Sequence, residues 1–327
     1  MSPLPNLHPL KFEPILKNKI WGGEKLKTKL NKTSDQNQLG ESWEISGVND
    51  DVSIVAKGDL KGWNLKQILE TYQDKLVGQK VYNHFKNEFP LLIKFIDAAD
   101  TLSVQLHPDD TLAKQRHNSF GKTEMWYIIE HDQDGFIIAD FENKIKANEL
   151  IDFIENGNLQ EQLKSYEVQT GDSFFVSPGL VHAIGKGVLL AEIQQTSDIT
   201  YRLYDWDRKD DKGNARQLHI KESIDAIDYS LTAQPKINYD KTKQQVLLAD
   251  NKYFTTNRLK VDQHYQLNLK NRDSFTILMC VEGNTQLEYN DKNYALNVGE
   301  SILIPALLEE IKILSDQPSI ILDVHIN

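Results

Sequence analysis

The sequence predicts a mainly β protein, in which a barrel with a polar interior is followed by a second copy of the same β unit. Polar and apolar residues alternate in several short segments between residues 102 and 208, and a turn-and-strand pattern from this region recurs near the C-terminus. Helical spacing of apolar residues is confined to a few insertions. Because alternate residues of a strand share one face, polar sets on several strands indicate a polar interior rather than a packed apolar core.

Length and composition indicate a globular protein of two domains. The chain has 327 residues, which is more than one ordinary core requires, and its 39% apolar and 26% charged residues are typical of soluble proteins. The formal net charge of −11 argues against nucleic acid or an anionic membrane as a partner, although a local basic cluster can still bind a small anion. The sequence does not determine the oligomeric state.

Cysteine usage and the start of the chain bear on the cellular compartment. Cys280 is the one cysteine, so neither an intramolecular disulfide nor a thiolate metal cluster is possible. The first ten residues lack the charged and apolar halves of a signal peptide, and no apolar run approaches the length of a membrane span. We therefore expect a cytoplasmic protein.

The first part of the chain has the pattern of strands interrupted by a helical insertion. Residues 9–55 contain short apolar pieces separated by turn signals, and residues 41–46 alternate as a strand does. Residues 64–85 carry apolar residues at helical spacing and predict one or two helices. Residues 89–96 then predict a buried strand that contains a single charge, Lys94.

Helical and extended pieces follow each other in the later part of the chain. Apolar spacing predicts a helical insertion over residues 148–166 and a helix over 220–227, with a solvated loop at 209–217. Residues 233–243 have the composition of a linker, and strands and turns predominate from residue 245 onward. Together these boundaries predict an N-terminal domain, 1–232, with helical insertions at about 64–85, 148–166 and 217–228, and a C-terminal β domain, 233–327.

An internal repeat supports the prediction of two domains. The turn and strand of residues 168–178 match residues 296–305, and residues 126–130, upstream of the first, match residues 278–282. The second copy has no histidine where the first has His182. A duplicated β unit with one site, in the first copy, is the simplest interpretation.

Strand spacing sorts the polar residues of the central region into sets. If residues 102–107 form a strand, its polar members share one face, and the same holds for two pairs further along. These sets are Ser103, Gln105 and His107; Lys122 and Glu124; and Glu192 and Gln194.

Two of these sets, together with His182 just after a Pro-Gly turn, predict a metal site. Its candidate ligands are two imidazoles, a carboxylate and an amide oxygen: Gln105, His107, Glu124 and His182. A lone histidine is more often a structural polar residue. Two histidines with a carboxylate from a third segment make that interpretation weaker. Such donors suit zinc, with an open position for catalysis, and manganese, iron or cobalt can use the same donors.

Four motifs carry a resemblance to a known family: Gln-Leu-His-Pro-Asp-Asp at 105–110, Gly-Lys-Thr-Glu-Met-Trp-Tyr at 121–127, Pro-Gly-Leu-Val-His-Ala at 178–183, and Glu-Ile-Gln-Gln-Thr-Ser-Asp-Ile-Thr-Tyr-Arg-Leu-Tyr-Asp at 192–205. From about residue 11 to its end, the chain resembles type I mannose-6-phosphate isomerase (phosphomannose isomerase) in its short bacterial form. The resemblance implies a cupin-superfamily fold of two jelly-roll β-barrels with helical insertions. It also implies one zinc ion in the first barrel and a degenerate second barrel without metal.

The resemblance assigns roles to individual residues. It implies that the four candidate metal-site residues are the zinc ligands and that Arg202 is catalytic. It further implies a substrate pocket lined by Glu41, Lys94, Ser103, Lys122 and Glu192. For Arg208, a salt bridge to Asp205 or Asp207 is the expected role.

The reaction implied by the resemblance interconverts mannose 6-phosphate and fructose 6-phosphate. Proton transfer between C1 and C2 passes through an enediol, whose negative charge a divalent metal and a fixed cation such as Arg202 can stabilise. A base must reach the C2 proton, and we favour Glu192, with Lys122 as the alternative. In a competing interpretation Lys122 and Lys94 bind phosphate or hydroxyl groups instead.

Two other classes of function stay open on the residues alone. A cupin oxygenase would hold iron in the same ligand shell, but an amide and a carboxylate share this shell where histidine usually dominates. A non-catalytic sugar-phosphate-binding cupin would not need Lys122, Glu192 and Arg202 to converge beside a metal.

Overall fold

The protein consists of antiparallel sheets with short helices between the strands, as described by a computed structural model over residues 4–209, 212–230 and 234–327. The predicted domain boundary at residue 232 lies outside the described residues, and so does part of the predicted loop at 209–217. No helix in the described ranges is long and apolar enough to cross a membrane.

The strands up to residue 237 are β1 (Ile15–Gly23), β2 (Leu39–Ile45), β3 (Gly47–Val48), β4 (Asp51–Val52), β5 (Leu91–Ala98), β6 (Val104–Leu106), β7 (Glu124–His131), β8 (Phe136–Phe141), β9 (Leu163–Glu167), β10 (Ser173–Val176), β11 (His182–Ile184), β12 (Val188–Gln195), β13 (Tyr201–Tyr204) and β14 (Lys236–Ile237). The helices are α1 (Lys25–Thr28), α2 (Leu65–Tyr72), α3 (Asp74–Val77), α4 (Gln79–Phe85), α5 (Asp110–His117), α6 (Ala147–Glu155) and α7 (Ile220–Ala226), with a 3₁₀ turn at Leu159–Gln162. The remaining strands are β15 (Gln245–Asp250), β16 (Thr255–Val261), β17 (His264–Asn268), β18 (Thr276–Glu282), β19 (Asn284–Tyr289), β20 (Lys292–Asn297), β21 (Ser301–Ile304), β22 (Glu310–Leu314) and β23 (Ser319–His325).

Two sheets enclose the interior of the first domain. Among the described strands, one sheet has the order β1-β2-β5-β12-β7-β10-β14 and the other β13-β6-β11-β8-β9. Apolar side chains from both sheets, such as Leu190, Ile137 and Ile184, pack together between them. The interior is therefore partly apolar, and the polar residues that the sequence predicted to line it are concentrated in the remaining part.

The second domain repeats this arrangement with an apolar interior. Its described sheets have the orders β15-β16-β23-β18-β21 and β17-β22-β19-β20, and both contribute to one apolar cluster that contains Cys280. A larger cluster joins the two domains and the helices α2 to α4; within it the rings of Phe89 and Phe275 have centroids 4.8 Å apart. The predicted mainly β fold with helical insertions is confirmed.

The internal repeat of the sequence is a repeat of structure. Strands β7 and β10 pair antiparallel, and so do β18 and β21. The turn before the second strand of each pair contains a glycine at positive φ: Gly171 at 83° and Gly299 at 81°. Both turns need a left-handed residue, which glycine adopts without the steric cost of a Cβ.

Helix prediction from apolar spacing was wrong in three places. Residues 64–85 form three helices, because the chain breaks at Gln73 and Gly78, which have φ of 50° and 92°. Residues 163–167 form β9, paired with β8, instead of continuing a helix. Helix α5 was not predicted, because Ala113 is its one buried residue and an exposed helix has no apolar stripe.

Candidate metal centre and active site

Two histidines and a glutamate meet in the interior of the first domain. His107 follows β6, Glu124 begins β7 and His182 begins β11, and all three are at most 1% exposed. His107 Nε2 lies 3.3 Å from Glu124 Oε1, and His182 Nε2 lies 3.9 Å from Glu124 Oε2. The structure therefore brings three of the predicted metal ligands together, with their ligand atoms within 4.8 Å of one another.

The environment of these atoms fits a bound cation. His107 Nδ1 lies 2.9 Å from the carbonyl of Ile199, and His182 Nδ1 lies 2.9 Å from the carbonyl of Leu180, so each Nδ1 carries the proton and each Nε2 has a free lone pair. Both Nε2 atoms and both Glu124 oxygens are buried without a hydrogen-bond partner. Buried polar atoms normally have a hydrogen-bond partner, so four atoms with free lone pairs and no hydrogen bond, side by side, fit a divalent metal ion.

The protonation states of the cluster agree with metal binding. Burial lowers the pKa of His107 to about 4, with a further contribution from the Lys122 ammonium, and burial also lowers the pKa of His182. Burial by itself raises the pKa of the Glu124 carboxyl, but Lys122 and His107 outweigh it and hold that pKa well below its usual range. At neutral pH the imidazoles are uncharged and the carboxylate is ionised, as metal ligands must be.

Gln105 lies next to this cluster on β6. In the sheet it is the direct cross-strand partner of His182 on one side and of Arg202 on the other. Its side-chain oxygen lies 3.5 Å from the hydroxyl of Ser103, and both residues line the same cavity. The backbone of Gln105 is thus adjacent to that of His182, and its role as a fourth ligand stays a prediction.

A cavity of about 140 Å³ opens beside the cluster. Its walls contain all the predicted substrate and catalytic residues: Glu41, Lys94, Ser103, Lys122, Glu192 and Arg202. Three larger cavities, of about 280, 660 and 590 Å³, lie around α4, α5 and α7 and contain none of the predicted site residues. The chemistry of the walls, and not size, identifies the smaller cavity as the candidate active site.

Lys94 and Glu192 form a buried ion pair across β5 and β12. Lys94 Nζ lies 2.8 Å from Glu192 Oε1 and donates to Gln194 Oε1 at 2.6 Å, while Trp126 Nε1 donates to Glu192 Oε2 at 2.9 Å. Burial alone would lower the pKa of Lys94, but the carboxylates of Glu192 and Glu41 outweigh it and raise that pKa. Lys94 is therefore a cation, and both oxygens of the favoured base are occupied.

Glu41 lies on the same wall, on β2. It pairs with Lys19 at 3.1 Å and accepts from Trp43 Nε1 at 2.7 Å. Burial raises the pKa of Glu41, but Lys94 and Lys19 outweigh this and bring it below its ordinary value. The carboxylate is ionised at neutral pH and presents a hydrogen-bond acceptor to the cavity.

Lys122 and Arg202 are two further cations of the cavity wall. Lys122 Nζ is 2.9 Å from Glu124 Oε1, an ion pair whose angles do not form a hydrogen bond. Arg202 Nη1 donates to the carbonyl of Gln217 at 2.8 Å, whereas Arg202 Nε is buried without a partner. Burial lowers the pKa of Arg202, and the nearby Arg216 guanidinium lowers it further.

Besides apolar and aromatic residues, the cavity wall contains four charged or hydroxyl-bearing residues that the sequence analysis missed: Lys19, Asp198, Thr200 and Arg216. Arg216 belongs to the loop that its composition marked as solvated. Lys19 lies on β1 and reaches the site because β1 pairs with β2. Charged residues on loops and edge strands are usually solvated, so the sequence held no signal that singles these residues out.

The chain is similar to known proteins over most of its length. Residues 10–145 match the model of the phosphomannose isomerase type I catalytic domain, and residues 243–322 match that of the mannose-6-phosphate isomerase cupin domain. Mannose-6-phosphate isomerase ManA of Bacillus subtilis is 36% identical over 93% of this chain and 95% of its own length. A mannose-6-phosphate isomerase of Streptococcus mutans is 34% identical over 91% and 92%. The crystal structure of a Bacillus subtilis mannose 6-phosphate isomerase superimposes with a TM-score of 0.86 at 30% identity, covering 97% of this chain and 99% of that one.

Proposed function

The chain belongs to the type I phosphomannose isomerase family, and on that premise we propose that it interconverts mannose 6-phosphate and fructose 6-phosphate with one zinc ion per chain. The proposed ligands are Gln105, His107, Glu124 and His182. The observation that carries the proposal is the set of unpartnered donor atoms of the two histidines and Glu124 beside a cavity with catalytic side chains. A cytoplasmic location is part of the proposal and rests on the sequence.

The metal, when bound, supplies positive charge to the substrate oxygens on C1 and C2. The side chains of the cavity then have three tasks: to hold the hydroxyl groups, to move a proton between C1 and C2, and to stabilise the charge of the enediol. Ser103, Lys94 and Glu41 have the donors and acceptors for the first task, which is to orient the sugar.

Glu192 is the proposed base. It is 3% exposed, and its Oε1 lies beside the protonated Lys94. For Glu192 to accept the C2 proton, Lys94 must give up its bond to Oε1 and turn toward a substrate oxygen; Gln194 remains as its second acceptor. Lys122 is the alternative base. Its ammonium is 2.9 Å from Glu124 Oε1 and would first have to lose a proton.

Arg202 is proposed to stabilise the negative charge that develops on the enediol oxygens. It is the cross-strand partner of the ligand Gln105, and its Nε is a buried donor with no acceptor in the described part of the protein. A buried, fixed donor placed where charge develops stabilises the transition state more than the ground state.

The second domain is proposed to bind no metal. The internal repeat aligns Trp126 with Leu278, and therefore Glu124 with Thr276. Trp126 is the cross-strand partner of Glu192 and Leu278 that of Asp323, so Asp323 occupies the position of Glu192. Asp323 is buried and receives two hydrogen bonds from Arg272, at 2.6 and 2.7 Å. Thr276 thus stands where a ligand would be needed, and the carboxylate of Asp323 is already bound by Arg272. Both features support a second domain without metal.

Metal analysis followed by a coupled isomerase assay on mannose 6-phosphate tests the proposal. We expect one equivalent of metal per chain, loss of activity with a chelator and recovery with zinc. Two equivalents would contradict the assignment of an empty second domain. Tight metal binding without isomerisation would leave a sugar-phosphate-binding protein, and oxygen consumption with a bound iron would indicate an oxygenase.

A further inference from the structure

The cations of the candidate active site differ in their partners. Each of the three cavity lysines has a carboxylate close by: Lys19 with Glu41 at 3.1 Å, Lys94 with Glu192 at 2.8 Å, and Lys122 with Glu124 at 2.9 Å. Arg202 has no carboxylate within ion-pair distance among the described residues. The cavity therefore has a positively charged side, and it lies where Arg202 and Arg216 line the wall.

Asp205 holds Arg216 at this side of the cavity. It is 5% exposed and accepts from Arg216 Nε at 2.7 Å and from Arg216 Nη2, so the guanidinium is fixed along one edge. Arg216 Nη1 has no hydrogen-bond partner among the described residues. A rotationally fixed arginine with donors to spare is prepared for a planar or tetrahedral oxyanion.

Arg208 is bound to the same carboxylate but lies outside the cavity. Its Nη2 donates to Asp205 Oδ1 at 2.6 Å, and its Nη1 donates to the carbonyl of Thr101 at 2.6 Å and to Asp100 at 3.3 Å. It does not line the cavity wall. Asp205 thus anchors two arginines: both terminal amino groups of Arg208 are bound to protein partners, whereas Arg216 lines the cavity.

We propose that Arg216 is the residue that binds the phosphate group of the substrate and so selects sugar phosphates over free sugars. The proposal rests on the proposed function and extends it. Arg202 is the cross-strand partner of the proposed ligand Gln105, whereas Arg216 lies on the loop that follows β13. A phosphate dianion beside Arg216 would also balance the repulsion between the two guanidinium groups. Each of the three lysines lies beside a carboxylate of its own, whereas Arg216 shares Asp205 with Arg208, so the charge of the two arginines is only partly balanced.

The test compares Arg216→Gln with Arg208→Gln in the metal-loaded enzyme. Each variant removes one arginine from Asp205, but only the first removes a donor from the cavity. The phosphate does not react, so loss of its contact with Arg216 weakens binding of the substrate and of the transition state equally. We expect Arg216→Gln to raise KM for mannose 6-phosphate by about 10- to 100-fold with little change in kcat, as for loss of a charged hydrogen bond. KM and kcat of Arg208→Gln should stay within about twofold of wild type, because this substitution removes no hydrogen bond to the substrate.

Two further measurements keep the test decisive. Calorimetric binding of inorganic phosphate should weaken about tenfold or more in Arg216→Gln and be unchanged in Arg208→Gln. If Arg216→Gln does not fold, Arg216→Lys, which keeps the charge but loses the fork to Asp205, should show a smaller rise in KM. An unchanged KM in Arg216→Gln, or an equal rise in Arg208→Gln, would overturn the inference. If wild-type protein binds phosphate through Arg216 but isomerises nothing, the proposed function fails and the inference stands.

Discussion

Replacing either member of the Lys94–Glu192 pair tests the packing and the mechanism together. Their side chains are 6% and 4% exposed and their charged atoms lie 2.8 Å apart, so water does not screen the pair. Removing one partner of such a pair costs about 3–5 kcal/mol of stability, because the other charge is left buried. The two single substitutions nevertheless differ in what they leave behind.

Lys94→Met leaves Glu192 with one donor, Trp126 Nε1 at 2.9 Å, and should cost about 5 kcal/mol. Glu192→Gln leaves Lys94 with Gln194 Oε1 at 2.6 Å and with the charge of Glu41, and should cost about 3 kcal/mol. The double variant should cost less than the sum, since both charges are gone. Urea unfolding of the four proteins at fixed metal concentration gives these free energies.

Lys19→Met is the matched control. Lys19 also pairs with a cavity carboxylate, Glu41 at 3.1 Å, but its side chain is 35% exposed, so its loss should cost no more than about 1 kcal/mol. The reasoning about burial is refuted if Lys94→Met is as mild as Lys19→Met, or if the free energies of the two single variants simply add.

The same Glu192→Gln variant tests the choice of base. The hydrogen-bond partners of Glu192 are Lys94 and Trp126 and not the proposed metal ligands, so metal content should be unchanged, while kcat should fall about 10²- to 10⁴-fold if Glu192 carries the proton. Wild-type turnover in deuterated water should place some deuterium on C1 of the ketose or C2 of the aldose. An active Glu192→Gln with an inactive Lys122→Met moves the base to Lys122, and a complete lack of deuterium over many turnovers argues against the enediol path.

Three further results are expected. His182→Ala removes a donor whose Nε2 is buried and unpartnered, so both bound metal and activity should be lost; full metal content would show a misassigned ligand. Arg202→Ala should lower kcat by about 10²-fold or more with a smaller rise in KM, because its charge acts in the transition state; an effect on KM alone would place Arg202 on the phosphate. Burial raises the pKa of Asp97 from 3.8 to about 6 against the opposing bond from Lys25 N–H. The pKa of Asp97 is therefore higher in the folded than in the unfolded chain. The free energy of unfolding should be unaffected by this group below about pH 4 and should fall by about 3 kcal/mol as the pH rises to about 6. Asp97→Asn should remove this fall in urea unfolding, and an identical pH dependence in both proteins would contradict the assigned pKa.

The sequence alone indicated which residues are candidate metal ligands and that they lie on strands or next to them. Side chains alternate along a strand, so Ser103, Gln105 and His107 had to face one way, as did Glu192 and Gln194. The repeated turns around Gly171 and Gly299 likewise follow from local backbone chemistry, because few other residues adopt a positive φ without strain.

Only the tertiary structure decided which of these sets meet and what they bind to. The bond from Lys94 to Glu192 and Gln194 exists because β5 pairs with β12, and the approach of Arg202 to Gln105 because β13 pairs with β6. Arg216 reaches the cavity because Asp205, 11 residues earlier in the chain, holds its guanidinium. Such contacts join segments through the register of long-range strand pairs and buried ion pairs. Local periodicity carries no information about that register, so only the folded chain could supply it.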